Sequence, residues 1–249
     1  MCAGIAVVLA SSSAYYFVLR PRDITVKPNQ YLSVFWEILP YSSAPRQDLI
    51  ELGLDPKLLK YSGSNPWGPD TPMNDPDFQR SFFDKIGFAK VVRFHLSHPV
   101  RLLETLDRCA RYAPELRPWL GNYEKSEGRV FLAKGRSFNL WSSLREKYSP
   151  GSLKSFGLFF AANYVAILFL HRRASSLKNR LILELQACLL LVAIVQFLTV
   201  AIVVGTHEAT KHLFLFDLLV DLCFAADILL VIALVTERNP SPISGARCV

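Results

Sequence analysis

The chain has 249 residues, 51% of them hydrophobic and 20% charged, and a formal net charge of +7 at pH 7. Its mean hydropathy is positive, which is high for a soluble domain. No block of like charge and no basic helix face indicates nucleic-acid binding. The five cysteines are scattered singly and give little support to a disulfide framework.

Four stretches of the chain are almost free of charge: residues 2–19, 156–170, 185–205 and 213–235. A helix needs about 20 apolar residues to cross a bilayer. The third and fourth stretches meet that length comfortably, and the second meets it when Leu153 is included. The first starts at the initiator Met without the basic region of a signal peptide, which favours an uncleaved helix over cleavage near Ala14.

These stretches predict an all-α integral membrane protein with about four transmembrane helices and a mainly helical extracytoplasmic domain. The loop that starts at His171 carries four cations and no acid, which places it in the cytoplasm. The predicted divisions are a transmembrane helix over 1–19, either complete or truncated at its start, a helical domain over 20–152, three transmembrane helices over 153–236 and a cytoplasmic tail over 237–249.

Within the helical domain, proline and glycine positions mark helix ends. A short helix is predicted over 45–52, and a longer one starts at Asp75-Pro76 and runs to Leu96, which lies on the same apolar side as the preceding phenylalanines. Another helix begins at Pro99, and SFNLWSSLREKYSP leads into the second membrane helix. Trp67 stands in a loop rich in Gly, Pro, Asn and Asp, where it is a candidate to stack on a sugar or lie at the membrane surface. Packing over the core of the domain is the alternative.

The last apolar stretch contains a polar stripe. Thr210, Asp217 and Asp221 lie within about 40° of each other on a helical wheel, and Asp227 is displaced by roughly 80°. A central aspartate costs on the order of 2.5 to 3.5 kcal/mol on insertion scales. The stripe must therefore face protein or water, or be protonated. It is either a proton or substrate path or a packing interface, with candidate partners Gln186, Gln196, Thr199, Asn163 and Tyr164.

The histidines do not predict a metal site, and no cofactor is predicted. His207 and His212 in HEATKH are five residues apart, about 140° around a helix, so they cannot share a metal from one face. His95 and His98 are separated by the break at Pro99, which favours capping or surface roles over zinc ligation. No phosphate loop, dinucleotide fingerprint or nucleophile elbow is present, so the sequence leaves open whether the chain is an enzyme.

Five segments together carry a resemblance: NQYLSVFWEILPYSSAPRQDLIELGLDP, HPVRLL, LGNYEKSEG, SFNLWSSLREKYSP and KHLFLFDLLVDL. The combination resembles the C-terminal part of a largely uncharacterised family of bacterial polytopic membrane proteins, over most of residues 20–235. Members look broadly similar to membrane glycosyltransferases that use lipid-linked sugar donors. Asp217 stands where the resemblance leads us to expect asparagine. The catalytic acid of such enzymes lies in an upstream loop. This catalytic acid is therefore expected to be missing here.

The resemblance implies a multi-pass protein of the bacterial inner (cell) membrane, with residues 20–152 extracytoplasmic. The function that it implies is a partial or non-catalytic glycosyltransferase-like role in polysaccharide or glycolipid assembly. Expected partners are membrane lipids, a lipid-linked glycan and other membrane helices, with Trp67 and Tyr123 as candidate glycan or interface contacts. The alternatives are a proton-coupled transporter subunit that uses Asp221 and Asp227 as relay groups, and a scaffold that docks through its last helix. The substrate and the oligomeric state stay open.

Overall fold

The computed structural model describes residues 26–68, 71–115, 126, 128–129, 133, 139–149 and 151–238. Throughout these residues the regular structure is helical and contains no strand, as the all-α prediction requires. The first apolar stretch and Tyr123 lie outside the described residues.

The described residues of the predicted helical domain, between 26 and 149, form short helices. In chain order they are α1 (Val26–Tyr31), which continues as a π-helix (Leu32–Ile38), α2 (Pro45–Glu51), two 3-10 segments (Pro56–Tyr61 and Pro72–Asn74), α3 (Pro76–Phe78), which continues as a π-helix (Gln79–Phe83), α4 (Phe88–Ser97), α5 (Pro99–Ala110) and α6 (Leu140–Tyr148). Asp75 caps α3 by accepting a hydrogen bond from the Asp77 amide at 2.8 Å. This is the predicted aspartate-proline start.

The single long helix predicted from Asp75 to Leu96 is wrong. Gly87 adopts an extended backbone (φ −154°) and separates the π-helix Gln79–Phe83 from α4. The break resets the helical phase, so that α4 buries Val91 and Phe94 but leaves Leu96 exposed. Helical spacing across the break therefore misassigned which side of α4 faces the core.

An aromatic cluster forms the core of the helical domain. Its rings come from α1, the first 3-10 segment and α3, and the ring centroids of neighbouring pairs are 4.6 to 6.2 Å apart. Tyr31, Phe35, Phe78 and Phe82 are almost fully buried. Burying a large apolar side chain stabilises a fold by about 1.5–3 kcal/mol, so each of these four rings contributes on that order to the stability of the domain.

Three of the remaining four described helices are long and apolar, and the other is a single turn. They are α7 (Leu153–Arg173), α8 (Leu177–Val203), the single turn α9 (Ala209–His212) and α10 (Phe214–Arg238). Ser152 and Ser176 cap α7 and α8 by accepting backbone hydrogen bonds from the third residue on. In the described part of the chain, α7 and α8 are long and apolar enough to cross a bilayer. α10 has a similar length but carries three aspartates. The presence of four transmembrane helices therefore stays a prediction.

The helical domain and the long helices share a core. α8 packs against both α7 and α10, and α5 lies across α7 and α8. Leu106 and Ala110 of α5 belong to the same buried cluster as Phe156, Val200 and Phe216 of the long helices. The domain therefore packs directly against one end of the long helices, and its polar side chains contact them there.

Candidate functional site

A buried arginine connects the helical domain to the polar stripe of α10. The Arg145 side chain on α6 is 3% exposed and forms an ion pair with Asp217 and another with Asp221. Its guanidinium also donates to the main-chain oxygens of Asp217 (3.1 Å) and Ala113 (3.3 Å). Trp141 Nε1 donates to Asp221 Oδ2 at 2.9 Å. We call Arg145, Asp217, Asp221 and Trp141 the arginine cluster.

Two matched helical spacings build this cluster. Trp141 and Arg145 are four residues apart on α6, and Asp217 and Asp221 are four residues apart on α10, so each pair lies on one side of its helix. Removing a charge from water is expensive unless the charge is paired and hydrogen-bonded. One cation shared by two carboxylates meets much of that requirement, although Arg145 Nε and Asp217 Oδ2 have no hydrogen-bond partner in the described structure.

The other two members of the stripe also contact residues of this chain. Thr210 donates to the Glu115 carboxylate at 3.2 Å, and Gln186 donates to Asp227 at 2.6 Å. Asn163 lies beside this second pair, with its Oδ1 3.5 Å from Gln186 Nε2. Each of the four predicted stripe residues thus has a polar partner within the described chain, although one carboxylate oxygen of Asp217 stays unpaired. Of the predicted partners, Gln186 and Asn163 contact the stripe directly, both at Asp227.

Two of the other candidate partners are engaged elsewhere. Thr199 donates to the main-chain oxygen of Val195 at 2.8 Å, and Tyr164 donates to that of Ala187 at 3.2 Å. Side-chain polarity alone therefore did not show which residues meet the aspartates, because the rotation of α8 about its axis decides that.

An apolar cleft of about 430 Å³ opens beside the arginine cluster. The cleft lies between α6, α7 and α10, and its walls are mainly aromatic and aliphatic side chains. The lining residues are Trp141, Leu144, Arg145, Tyr148, Ser149, Phe156, Phe159, Val220, Asp221 and Phe224. Trp141 and Leu144 are three residues apart on α6 and are substantially exposed. This side of α6 therefore faces an open cleft instead of a packed core.

A second buried ion pair holds the turn between α8 and α9. Glu37 is fully buried, and its Oε1 accepts from Arg108 Nε at 3.2 Å. Its Oε2 accepts from the backbone amide and the hydroxyl of Thr206, at 3.1 and 3.2 Å. Gly205 in the same turn has a φ of +68°, a conformation that favours glycine. The helical domain thus binds the turn that joins two long helices.

His95 is buried and is neither a cap nor a surface residue, contrary to the prediction. Both ring nitrogens lack a hydrogen-bond partner in the described structure. They lie beside a cavity of about 10 Å³, which is near the minimum that holds one water molecule. Burial, with the charges of Arg101 and Arg108 adding to it, lowers the pKa of His95 to about 4. His98, by contrast, contacts the Glu51 carboxylate at 2.9 Å.

Trp67 is 61% exposed and does not belong to the described buried core of the helical domain. One face of its ring lies against His207, with ring centroids 5.3 Å apart, and His207 in turn meets Trp36 edge-on. Burial lowers the pKa of His207. The ring of Trp67 is therefore held in place by the turn before α9 while part of its surface stays open to a ligand.

Sequence reasoning missed Arg145, Glu37 and Arg108. Arg145 could have been recognised as a partner because it is four residues from Trp141, which matches the spacing of Asp217 and Asp221. Nothing comparable marked Glu37, because its partner Thr206 is 169 residues away along the chain.

The comparisons with known proteins agree with a membrane location. A family model described as the YfdI N-terminal transmembrane domain matches residues 1–241. Its description refers to an N-terminal domain, whereas the resemblance seen in the sequence concerned the C-terminal part of a longer protein. No curated protein and no solved structure matches the chain. Since the family model covers nearly the whole chain, this integral membrane protein belongs to the YfdI N-terminal transmembrane domain family.

Proposed function

We propose that this protein binds a lipid-linked glycan and acts in polysaccharide or glycolipid assembly in the bacterial envelope. In this proposal the spans lie in the inner membrane and the helical domain is extracytoplasmic. The observation that carries the proposal is the apolar cleft between α6, α7 and α10. Its volume of about 430 Å³ lies within the roughly 300–1,000 Å³ typical of small-ligand sites.

The position of the cleft along the helices suits a lipid chain. Phe159 lies six residues into α7 and Phe224 ten residues into α10. At 1.5 Å per residue these positions are about 9 and 15 Å from the helix starts. Half of a bilayer core is about 15 Å thick. The cleft thus follows the half of the membrane that adjoins the helical domain, where an isoprenoid or acyl chain enters sideways from the lipid.

The polar end of the cleft orients such a ligand. Arg145 and Asp221 line the cleft, while its other walls are largely apolar. A chain with a polar head is therefore expected to place its hydrocarbon against Phe159 and Phe224 and its head toward the helical domain. Asp221 pairs with Arg145 and Asp227 accepts from Gln186, and these internal contacts favour lipid binding over a proton relay or a docking stripe.

The sugar portion is assigned to the surface of the helical domain. Trp67 offers an exposed ring that is held from behind by His207, and such a ring is a suitable platform for the apolar face of a sugar. Tyr123 is the second proposed glycan contact and lies outside the described residues.

The cleft is tested with the purified full chain in lipid nanodiscs and a polyprenyl phosphate that carries a photoreactive diazirine. Leu144→Trp fills the cleft, whereas Leu140→Trp places the same side chain on the same helix at a position that is 75% exposed and not part of the lining. Each methylene group of the lipid chain that is excluded from the cleft weakens binding by about 0.8 kcal/mol. Excluding two or more methylene groups therefore lowers labelling on the order of tenfold or more.

We expect labelling of the wild type and of Leu140→Trp, competition by unlabelled polyprenyl phosphate, and loss of labelling in Leu144→Trp. Equal labelling of the two variants would refute the cleft as the lipid site. Trp67 is tested separately, by comparing how Trp67→Ala and the control Tyr112→Ala bind the glycan after it has been cleaved from its lipid carrier. If Trp67→Ala binds glycan as the wild type does, the assignment of Trp67 is wrong while the lipid site stands.

A further inference from the structure

The hairpin formed by α4 and α5 carries an apolar surface that the core does not use. Both helices bury one side against the protein. The opposite side exposes Val92, Leu96, Val100 and Leu103, and Leu96 and Val100 are 69% and 68% exposed. We call these four residues the hairpin patch.

The members of the hairpin patch lie on the two helices on either side of the hairpin turn. Val92 and Leu96 are four residues apart on α4, and Val100 and Leu103 are three apart on α5, so each pair lies on one side of its helix. Leu96 and Val100 flank the break between the helices at His98. Exposed apolar side chains grouped around one hairpin turn are a candidate interaction surface.

The polar groups of the hairpin tip are already paired within the protein. His98 contacts the Glu51 carboxylate, and Arg101 pairs with Asp48 at 2.9 Å. Arg101 also donates to the main-chain oxygen of Ile38 at 3.1 Å. The exposed surface of the hairpin tip is therefore mainly aliphatic.

The hairpin is attached at the ends of both candidate spans. The Asp107 carboxylate accepts from the backbone amide of Leu153, the first residue of α7, at 3.1 Å. The Cys109 sulfur lies 3.9 Å from the main-chain oxygen of Gly205, two residues beyond the end of α8. Such a position is where a helix leaves the hydrocarbon core and enters the headgroup region.

The hairpin patch also adjoins the apolar packing of the spans. Leu102, next to Leu103 in sequence, packs against the buried cluster that contains Phe156 of α7 and Val200 of α8. Arg93 is exposed on α4 next to Val92 in sequence. An arginine near a membrane interface keeps its stem in the apolar layer and its charge at the headgroups. Glu104 is exposed beside Leu103, so the charge around the patch is mixed. Apolar contact, and not attraction to anionic lipid, is thus the source of binding.

We propose that the hairpin patch is embedded in the leaflet next to the helical domain, which makes the α4–α5 hairpin an interfacial membrane anchor. Amphipathic helices that lie in the plane of the interface bind lipid in this way. The occupant of the patch is the bilayer itself. The inference does not depend on the proposed binding of a lipid-linked glycan.

The experiment places the photoreactive amino acid p-benzoylphenylalanine at position 96, and in a second protein at position 100. A matched control carries it at position 77, where the charged Asp77 side chain is 84% exposed. The full chain is reconstituted in vesicles of phosphatidylethanolamine and phosphatidylglycerol, irradiated, and the adducts are identified by mass spectrometry. Folding of each protein is checked by its thermal transition.

We expect phospholipid adducts at positions 96 and 100 and their loss at position 77. Adducts that join two copies of the chain at position 96 would overturn the proposal in favour of a dimer interface. Lipid labelling at positions 96 and 100 no greater than at position 77 would equally overturn it, because the patch would then face water.

Discussion

Replacing Arg145 with methionine removes the cation that two carboxylates of α10 share. The substitution keeps most of the apolar stem of the side chain but deletes every hydrogen bond that the guanidinium donates to Asp217, Asp221 and Ala113. Because the Arg145 side chain is 3% exposed, water cannot take its place without a rearrangement. Breaking a buried ion pair by removing one partner costs about 3–5 kcal/mol.

This cost is large enough to measure as a thermal shift. For chains of 150–250 residues, each kcal/mol moves the transition by about 2–4 °C, so Arg145→Met is expected to lower it by roughly 6–20 °C. The assay is tryptophan fluorescence during heating of the protein in nanodiscs, with the scan rate held constant because membrane proteins often unfold irreversibly. Lys147→Met is the matched control, since Lys147 is exposed on the same helix.

A rescue variant separates lost charge compensation from lost packing. Adding Asp217→Asn and Asp221→Asn to Arg145→Met removes both uncompensated charges while keeping nearly the same volume. We expect the triple variant to recover a substantial part of the lost transition temperature. The reasoning is refuted if Arg145→Met shifts the transition no more than Lys147→Met, or if the triple variant is no more stable than Arg145→Met.

Three further predictions concern the helical domain and the turn that it holds. Gly205→Ala should destabilise the protein by at least about 2 kcal/mol, because φ is +68° and the added Cβ would lie 2.5 Å from Glu37 Oε2; Gly87→Ala, whose Cβ meets nothing within 4 Å, should leave the thermal transition unchanged. For His95, with a pKa of about 4 in the folded state against 6.5 for the ordinary group, the unfolded chain binds more protons between these values. Stability should therefore fall as pH drops from about 6.5 to 4, by up to roughly 3 kcal/mol, and a His95→Gln variant with the same pH dependence would contradict this. Burial raises the pKa of the Cys109 thiol to about 12, so maleimide at about pH 8 should modify it only after unfolding in detergent, as mass spectrometry of the modified peptide would show.

Local features of the chain were sufficient to place several elements. The apolar lengths of α7 and α8 predicted two candidate spans, and both are helices over those residues. Aspartate-proline at residues 75–76 and proline at residue 99 marked helix starts that the structure contains. These signals succeed because capping, proline geometry and helix length depend on residues close together in sequence.

The placement of exposed residues within the helical domain was less predictable. Helical spacing alone put Leu96 on the same side as Phe82, but Gly87 breaks the helix between them. Trp67 was correctly placed in a loop, whereas its support by His207 joins residues 140 positions apart and leaves no local pattern.

The sequence by itself determined that α10 carries a polar stripe too costly to face lipid, and that the stripe therefore needed protein, water or protonation. Only the tertiary structure decided which groups satisfy it. Arg145 reaches Asp217 and Asp221 across 72 and 76 residues, and Glu37 reaches Thr206 across 169. Such pairs depend on how helices rotate and cross when their apolar faces pack, and that geometry follows from the whole core rather than from any one segment.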